Sequence, residues 1–89
     1  MELLVVGLNH KTAPIEIREC LAFPEDKMED ALDKVHTLPS LKENMIVSTC
    51  NRVEVYAATR ETERAIRDLK EFLSQYHGIP LKEFERSLY

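Results

Sequence analysis

A short polar segment, Ser48-Thr49-Cys50-Asn51-Arg52, carries the residue types best suited to covalent chemistry in this sequence. Its thiol stands two positions before a guanidinium, and a nearby cation favours the thiolate, which is the nucleophilic form of cysteine. Cys50 is therefore a candidate nucleophile. The alternative is a cysteine that packs as a small apolar side chain at a strand end, with Arg52 solvated, and these residues alone leave both interpretations open.

A second polar segment, Asn9-His10-Lys11-Thr12, follows an apolar run at the amino terminus. A loop directly after a buried strand is a place where polar side chains and free helix-end amides can gather around a ligand. The same residue types also make up solvated turns, and nothing in the segment itself separates the two interpretations. Cys20 lies in an apolar helical neighbourhood, so we interpret it as a packing residue and not as a second nucleophile.

The elements that would position these segments begin with strands. Met1–Leu8 is a short apolar run that predicts a strand, and Pro14–Leu21 predicts a short helix after it. Asn44–Thr49 and Val53–Ala58 are β-prone and close enough in sequence to form a hairpin. Along the second of these, apolar residues alternate with Glu54 and its polar neighbours, which is typical of a strand with one core face.

Two longer amphipathic helices are predicted on either side of that hairpin. The first follows Glu25 and Asp26, whose charges suit a helix start, and Gly78 ends the second. Their apolar positions are Met28, Ala31, Leu32 and Val35 in the first and Ala65, Ile66, Leu69, Phe72, Leu73 and Tyr76 in the second. The segment Phe84–Tyr89 alternates again and predicts the beginning of a fourth strand.

The order β, α, β, β, α, β predicts an α+β fold with the ferredoxin-like split βαβ arrangement. In it, right-handed crossovers lay both long helices on one face of an antiparallel sheet, here with an extra short helix after strand one. A length of 89 residues is enough for one compact domain and too short for two, since domains usually run to about 100 to 150 residues. The fold alone leaves the function open.

Composition excludes several classes of function. The 12 basic and 16 acidic residues give a net charge of −4, so the chain offers no general attraction for nucleic acid. Its two glycines, Gly7 and Gly78, are too far apart for a glycine-rich phosphate loop. No apolar run reaches the ~18 residues that span a bilayer and no secretory signal is visible, so we predict a cytoplasmic chain with reduced thiols and no membrane partner. No metal is expected, because no familiar zinc spacing includes His10, His36 or His77.

Two segments, GLNHKTAP at 7–14 and STCNRVEVY at 48–56, together with IRE at 17–19, resemble the amino-terminal catalytic domain of glutamyl-tRNA reductase. The resemblance covers essentially the whole chain, and the cysteine segment is its most specific part. It implies that residues 1–89 are a single domain and a fragment of a longer enzyme. The family continues with a histidine-containing segment, a nucleotide-binding domain and a helical dimerisation domain.

The resemblance further implies that the full enzyme converts glutamyl-tRNA and NADPH to glutamate-1-semialdehyde, the first step of tetrapyrrole and haem biosynthesis. Cys50 matches the family's nucleophile, whose thiolate attacks the ester between glutamate and tRNA to form an enzyme-bound thioester. Thr49 and Arg52 match positions that hold the glutamyl group, and a guanidinium is suited to bind a carboxylate. Further positions of the family's substrate pocket correspond here to Asn51, Asn9, His10, Lys11 and Thr12.

By the same resemblance, NADPH and most of the tRNA would be bound by domains absent from this chain, and the full-length enzyme would be a homodimer. The isolated chain is therefore expected not to complete the reaction. A competing interpretation is a ferredoxin-like binding or regulatory module, whose pocket takes a small acidic ligand and in which Cys50 is incidental. A thiol redox protein is a third, which the absence of a Cys-x-x-Cys motif disfavours.

Overall fold

The computed structural model of the protein describes residues 2–49 and 51–89, within which lie three β-strands and three α-helices. Strands β1, β2 and β3 span Glu2–Asn9, Leu41–Ser48 and Arg52–Thr59, helices α1, α2 and α3 span Ile15–Leu21, Met28–His36 and Thr62–His77, and short 3-10 turns span Glu25–Lys27, Leu81–Glu83 and Glu85–Ser87. The predicted first strand, the hairpin strands, the extra short helix and the two long helices are therefore confirmed. Met1, at the start of the predicted first strand, lies outside the described residues.

The three strands form one antiparallel sheet in the order β1–β3–β2. β2 and β3 pair as the predicted hairpin, while β1 pairs along the other edge of β3. In that register Val6 is opposite Val55, and Asn9 is opposite Arg52. The carboxyl end of β1 consequently lies beside the amino end of β3, at one end of the sheet.

One face of the sheet carries the hydrophobic core. Because strand side chains alternate between the two faces, every second residue of β1 and β3 packs towards the helices. The core includes Val6 and Leu8 from β1, Val53, Val55 and Ala57 from β3, Ala31 and Val35 from α2, and Leu69, Phe72 and Leu73 from α3. Of the helices found in residues 2–49 and 51–89, none is both long enough and apolar enough to cross a membrane.

The predicted fourth strand at Phe84–Tyr89 is wrong over most of its length. Glu85–Ser87 is a 3-10 turn, and Phe84 is only 1% exposed because it packs into the core before that turn. Tyr89 does pair with the sheet: its N–H donates to the Gly7 carbonyl at 2.8 Å, and its carbonyl accepts from the Gly7 N–H at 3.2 Å. One residue pair therefore stands beside the outer edge of β1 where a whole strand was predicted.

Candidate active site

The two polar segments singled out in the sequence meet at one end of the sheet. Asn9 is the last residue of β1, and its cross-strand partner Arg52 is the first residue of β3. The loop after β1 and the loop before β3 therefore lie next to each other at this end of the sheet. This adjacency is what a shared substrate pocket requires. Cys50 lies outside the described residues, so its assignment as the nucleophile stays a prediction.

Thr49 shapes the turn between β2 and β3. Its Oγ1 accepts hydrogen bonds from the backbone N–H groups of Asn51 and Arg52, both at 3.2 Å, and its own N–H donates to the Arg52 carbonyl at 2.8 Å. A short hydroxyl side chain can satisfy a turn in this way because it reaches backbone groups two or three residues on. The hydroxyl of Thr49 thus has a structural role in fixing the turn, besides the substrate contact predicted for it.

Asn9 and Thr12 shape the loop after β1 in a similar way. The Asn9 Oδ1 accepts from the N–H groups of Lys11 at 2.8 Å and Thr12 at 3.1 Å, which is an Asx-type turn. In return the Thr12 Oγ1 accepts from the Asn9 N–H at 2.9 Å. Two of the four predicted residues therefore hold the loop, while the side chains of His10 and Lys11 are exposed to solvent.

Arg52 is half exposed and faces a buried carboxylate. Its Nη1 lies 3.8 Å from Oε1 of Glu54, whose side chain is only 8% exposed. The Tyr56 hydroxyl donates to Glu54 Oε1 at 2.8 Å, and the Tyr89 hydroxyl donates to Oε2. The hydrogen bond from Tyr89 is the largest reason that the pKa of Glu54 lies below its ordinary value; burial opposes it, and Tyr56 and Arg52 reinforce it. Glu54 is therefore a buried carboxylate that stays charged.

The two tyrosines remain hydrogen-bond donors over the whole neutral range. Burial, followed by the hydrogen bond to Glu54 and its charge, raises the pKa of Tyr89 to about 12. The hydrogen bond to Glu54 is also the main cause that raises the pKa of Tyr56. Each phenol therefore keeps the proton that it donates to the carboxylate.

Gly7 makes room for this arrangement. It is opposite Glu54 in the β1–β3 register, and Tyr89 pairs with its other edge. A Cβ at position 7 would lie 2.6 Å from the Val53 carbonyl oxygen and 2.7 Å from Cγ of Glu54, which is closer than real atoms approach. A residue with a side chain would therefore displace Glu54 or the backbone of β3.

Sequence reasoning gave no role to Gly7, Glu54 or Tyr89. The alternation along β3 suggested that Glu54 faces solvent, whereas it is only 6% exposed. The one usable signal was an isolated glycine within a valine-rich strand, which indicates a close approach of neighbouring groups. The interpretation of Cys20 is also wrong in one respect, because its side chain is exposed on α1 and not packed.

Neither glycine fits a site for the pyrophosphate of a nucleotide cofactor. Such a site needs backbone N–H groups at the start of a helix, with open space beside a glycine. The space beside Gly7 is occupied by β3, and Gly78, with φ of 69°, ends α3 at the negative end of its dipole. Nor do residues 2–49 and 51–89 bring together three or more His, Cys, Asp or Glu side chains that could hold a metal ion.

The fold and the paired loops define a small α+β domain with a candidate substrate site where the strands end. A family model described as the N-terminal domain of glutamyl-tRNAGlu reductase matches residues 6–89. The chain therefore belongs to the family of glutamyl-tRNA reductase N-terminal domains.

Full-length relatives agree with that assignment. A glutamyl-tRNA reductase from Citrifermentans bemidjiense is 51% identical over all 89 residues, and one from Cyanothece sp. is 47% identical over the same length. The chain spans 20% and 21% of these two proteins. Among solved structures, the glutamyl-tRNA reductase from Methanopyrus kandleri matches 82% of this chain and 16% of its own, with 32% identity and a TM-score of 0.52.

Proposed function

We propose that this chain is the amino-terminal catalytic domain of an NADPH-dependent glutamyl-tRNA reductase. The observation that carries the proposal is the pairing of Asn9 with Arg52, which brings the two family segments to one end of the sheet. The family match over residues 6–89 supports the choice of this reaction over a binding or regulatory module. Residues 1–89 would form one domain of a longer enzyme.

The proposed step is an acyl transfer. The thiolate of Cys50 attacks the carbonyl carbon of the ester that joins glutamate to tRNA, a C–S bond forms, and the C–O ester bond breaks. The tRNA leaves and takes up a proton on its released hydroxyl, so the glutamyl group remains on the enzyme as a thioester. The product of the whole reaction is glutamate-1-semialdehyde, with NADPH as the reductant. No contact with NADPH is assigned to this chain, since neither glycine fits its pyrophosphate.

Arg52 is the residue proposed to hold the glutamyl side chain. Its guanidinium is half exposed, so an incoming carboxylate can reach it. A guanidinium presents two parallel N–H groups to a carboxylate, which fixes the orientation of the bound group as well as its position. Thr49, Asn51 and the loop of residues 9–12 would line the same pocket.

The remaining proposals concern the enzyme as a whole. The sheet order β1–β3–β2, with Tyr89 beside the outer edge of β1, supports a ferredoxin-like arrangement whose fourth strand is reduced to one residue pair. The net charge of −4 favours tRNA contacts that lie mainly outside this chain. We also propose a cytoplasmic homodimer for the full-length enzyme.

A single-turnover experiment on the full-length enzyme tests the acyl transfer. Glutamyl-tRNA labelled in its glutamate is added without NADPH, and the protein is then denatured. The measured quantity is the protein-bound label that hydroxylamine releases. Wild-type enzyme should form this adduct and Cys50→Ser should not, because a serine hydroxyl without a base is a far weaker nucleophile. Cys20→Ser is the matched control, since Cys20 is exposed and would react if accessibility alone were sufficient. An adduct on the Cys50 variant, or equal loss in both variants, would contradict the proposal.

A further inference from the structure

The burial of Glu54 calls for a physical reason. A carboxylate whose side chain is 8% exposed is costly to bury unless hydrogen bonds and a counter-charge compensate. Here two tyrosine hydroxyls and the space left by Gly7 serve that single group. Gly7 belongs to β1, Tyr56 to β3, and Tyr89 to the segment after α3. Apolar residues would fill the same space more simply, so stability alone does not account for the arrangement.

The contact between Glu54 and Arg52 is of a particular kind. The two residues are two positions apart on β3, so their side chains leave the same face of the sheet. The 3.8 Å between Nη1 and Oε1 is an ion-pair distance but too long for a hydrogen bond. Glu54 therefore attracts the guanidinium without taking up any of its N–H groups in a hydrogen bond.

Holding Glu54 in place also limits the freedom of Arg52. A free arginine side chain samples many rotamers, and this freedom is lost when it binds a ligand in one orientation. A fixed carboxylate beside it restricts the guanidinium before the ligand arrives. Tyr89 and Tyr56 each bind one oxygen of Glu54, and its carboxylate plane is thereby set from both sides.

We infer that Glu54, fixed by Tyr89 and Tyr56 and accommodated by Gly7, is a positioning residue that orients the Arg52 guanidinium towards the carboxylate of the glutamyl group. This inference rests on the proposed function, since it assumes that Arg52 binds substrate. Tyr89 comes from the segment after α3, outside the two family loops, and its hydroxyl donates to Glu54 Oε2. Its hydroxyl is therefore the most informative group to remove.

The test measures kcat and KM for glutamyl-tRNA in the full-length enzyme. Tyr89→Phe should lower kcat/KM about tenfold, because the hydrogen bond that it removes is made to a charged group and holds the carboxylate beside Arg52. Tyr76→Phe is the matched control: its hydroxyl also contacts a carboxylate, Asp30, but on the helical side of the protein. That variant should keep kcat/KM within about twofold.

A double-mutant cycle separates positioning from a general structural role. In the Arg52→Lys background, Tyr89→Phe should have less than about a twofold further effect, because the group that it positions is already lost. An equal loss in both backgrounds, or an unchanged kcat/KM for Tyr89→Phe alone, would overturn the inference. If Tyr89→Phe does not fold, Glu54→Gln is tested in the same cycle with the same expected outcome.

The adduct assay separates a failure of the proposed acyl transfer from a failure of the positioning role of Glu54. A wild-type enzyme that forms no hydroxylamine-sensitive adduct would refute the proposed function itself. A wild-type enzyme that forms the adduct, combined with additive effects of Tyr89→Phe and Arg52→Lys, would refute only the positioning role.

Discussion

The two faces of the sheet are built from alternate residues of the same strands, and they differ in what stabilises them. On β3, Val53 and Val55 pack under the helices and are 2% and 0% exposed, whereas Arg52 and Glu54 lie on the opposite face and are charged. The covered face depends on apolar burial, which has no preferred direction. The polar face, which carries Arg52 and Glu54, depends on directed contacts between side chains, one of them from the distant segment after α3. Stability and the proposed substrate binding should therefore be separable by mutation.

Removing a large side chain from the covered face should have the largest effect. Leu69 is 0% exposed in the core, so Leu69→Ala should lower the free energy of unfolding by about 2 to 5 kcal/mol. Urea denaturation of the 89-residue chain measures this change. Ile15→Ala is the control, because Ile15 is 53% exposed on α1 and its loss should cost less than about 0.5 kcal/mol. Similar values for the two variants would mean that the helices do not cover this face as described.

A change at the half-exposed Arg52 on the polar face should affect kinetics while leaving stability nearly unchanged. Arg52→Lys replaces a planar fork with a point charge, and a charge-assisted contact is worth about 1.5 to 3 kcal/mol, so kcat/KM of the full-length enzyme should fall at least about tenfold. The free energy of unfolding should hardly change, because the side chain is half exposed. Arg67→Lys, at an exposed position of α3, serves as the control. Unchanged kinetics would show that Arg52 is only a solvated hairpin residue.

Gly7 lies where the two faces depend on each other, and its replacement should affect both properties. Gly7→Ala places a Cβ against the backbone of β3 and against Glu54, so we expect a loss of about 1 to 3 kcal/mol in stability together with a lower kcat/KM. Gly78→Ala is the matched control. Its φ of 69° makes alanine strained by about 1 to 2 kcal/mol, but the space around it is open. Gly78 follows the last residue of α3 and belongs to neither family segment. A fall in kcat/KM for both variants alike would assign the kinetic effect to stability alone.

The smallest expected effect is on the pH dependence of stability. The pKa of Glu54 is lower in the folded protein than its ordinary value of 4.5, so the fold favours the charged form. The resulting stabilisation is complete above that ordinary value and is lost as the pH falls through the lowered pKa. The difference in unfolding free energy between the wild type and Glu54→Gln should therefore narrow as the pH falls from about 6 to about 3. Two parallel curves would contradict the assignment of a charged Glu54.

Local sequence patterns predict those parts of this fold that depend on neighbouring residues. The apolar stripe of α3, its end at Gly78 and the hairpin of β2 and β3 all follow from spacing over a few residues. The segment 84–89 shows the limit of this reasoning. Its alternation arises from Phe84, which is buried before a 3-10 turn, and from Tyr89, which pairs with Gly7 near the other end of the sequence.

The candidate site is predictable to a similar extent. The family resemblance identifies the loops, and the structure brings Asn9 and Arg52 together as a shared pocket requires. The buried state of Glu54 could not be predicted, because a period of two assigns a face and not an exposure. Whether Glu54 is exposed to solvent depends on Tyr89, and the position of Tyr89 beside β1 is set by tertiary packing.

The sheet order β1–β3–β2 also has a consequence for the sequence of events during folding. The hairpin of β2 and β3 closes a loop of three residues. Pairing β1 with β3 closes a much longer segment, which contains α1, α2 and β2, and therefore costs more chain entropy. We expect pulse-labelling amide exchange to protect β2 before β1, and the reverse order would refute this. Tyr89 can reach Glu54 only after β1 has docked, since it pairs with Gly7. A newly made chain would therefore fix the carboxylate beside Arg52 only at the final stage, after all three strands have paired.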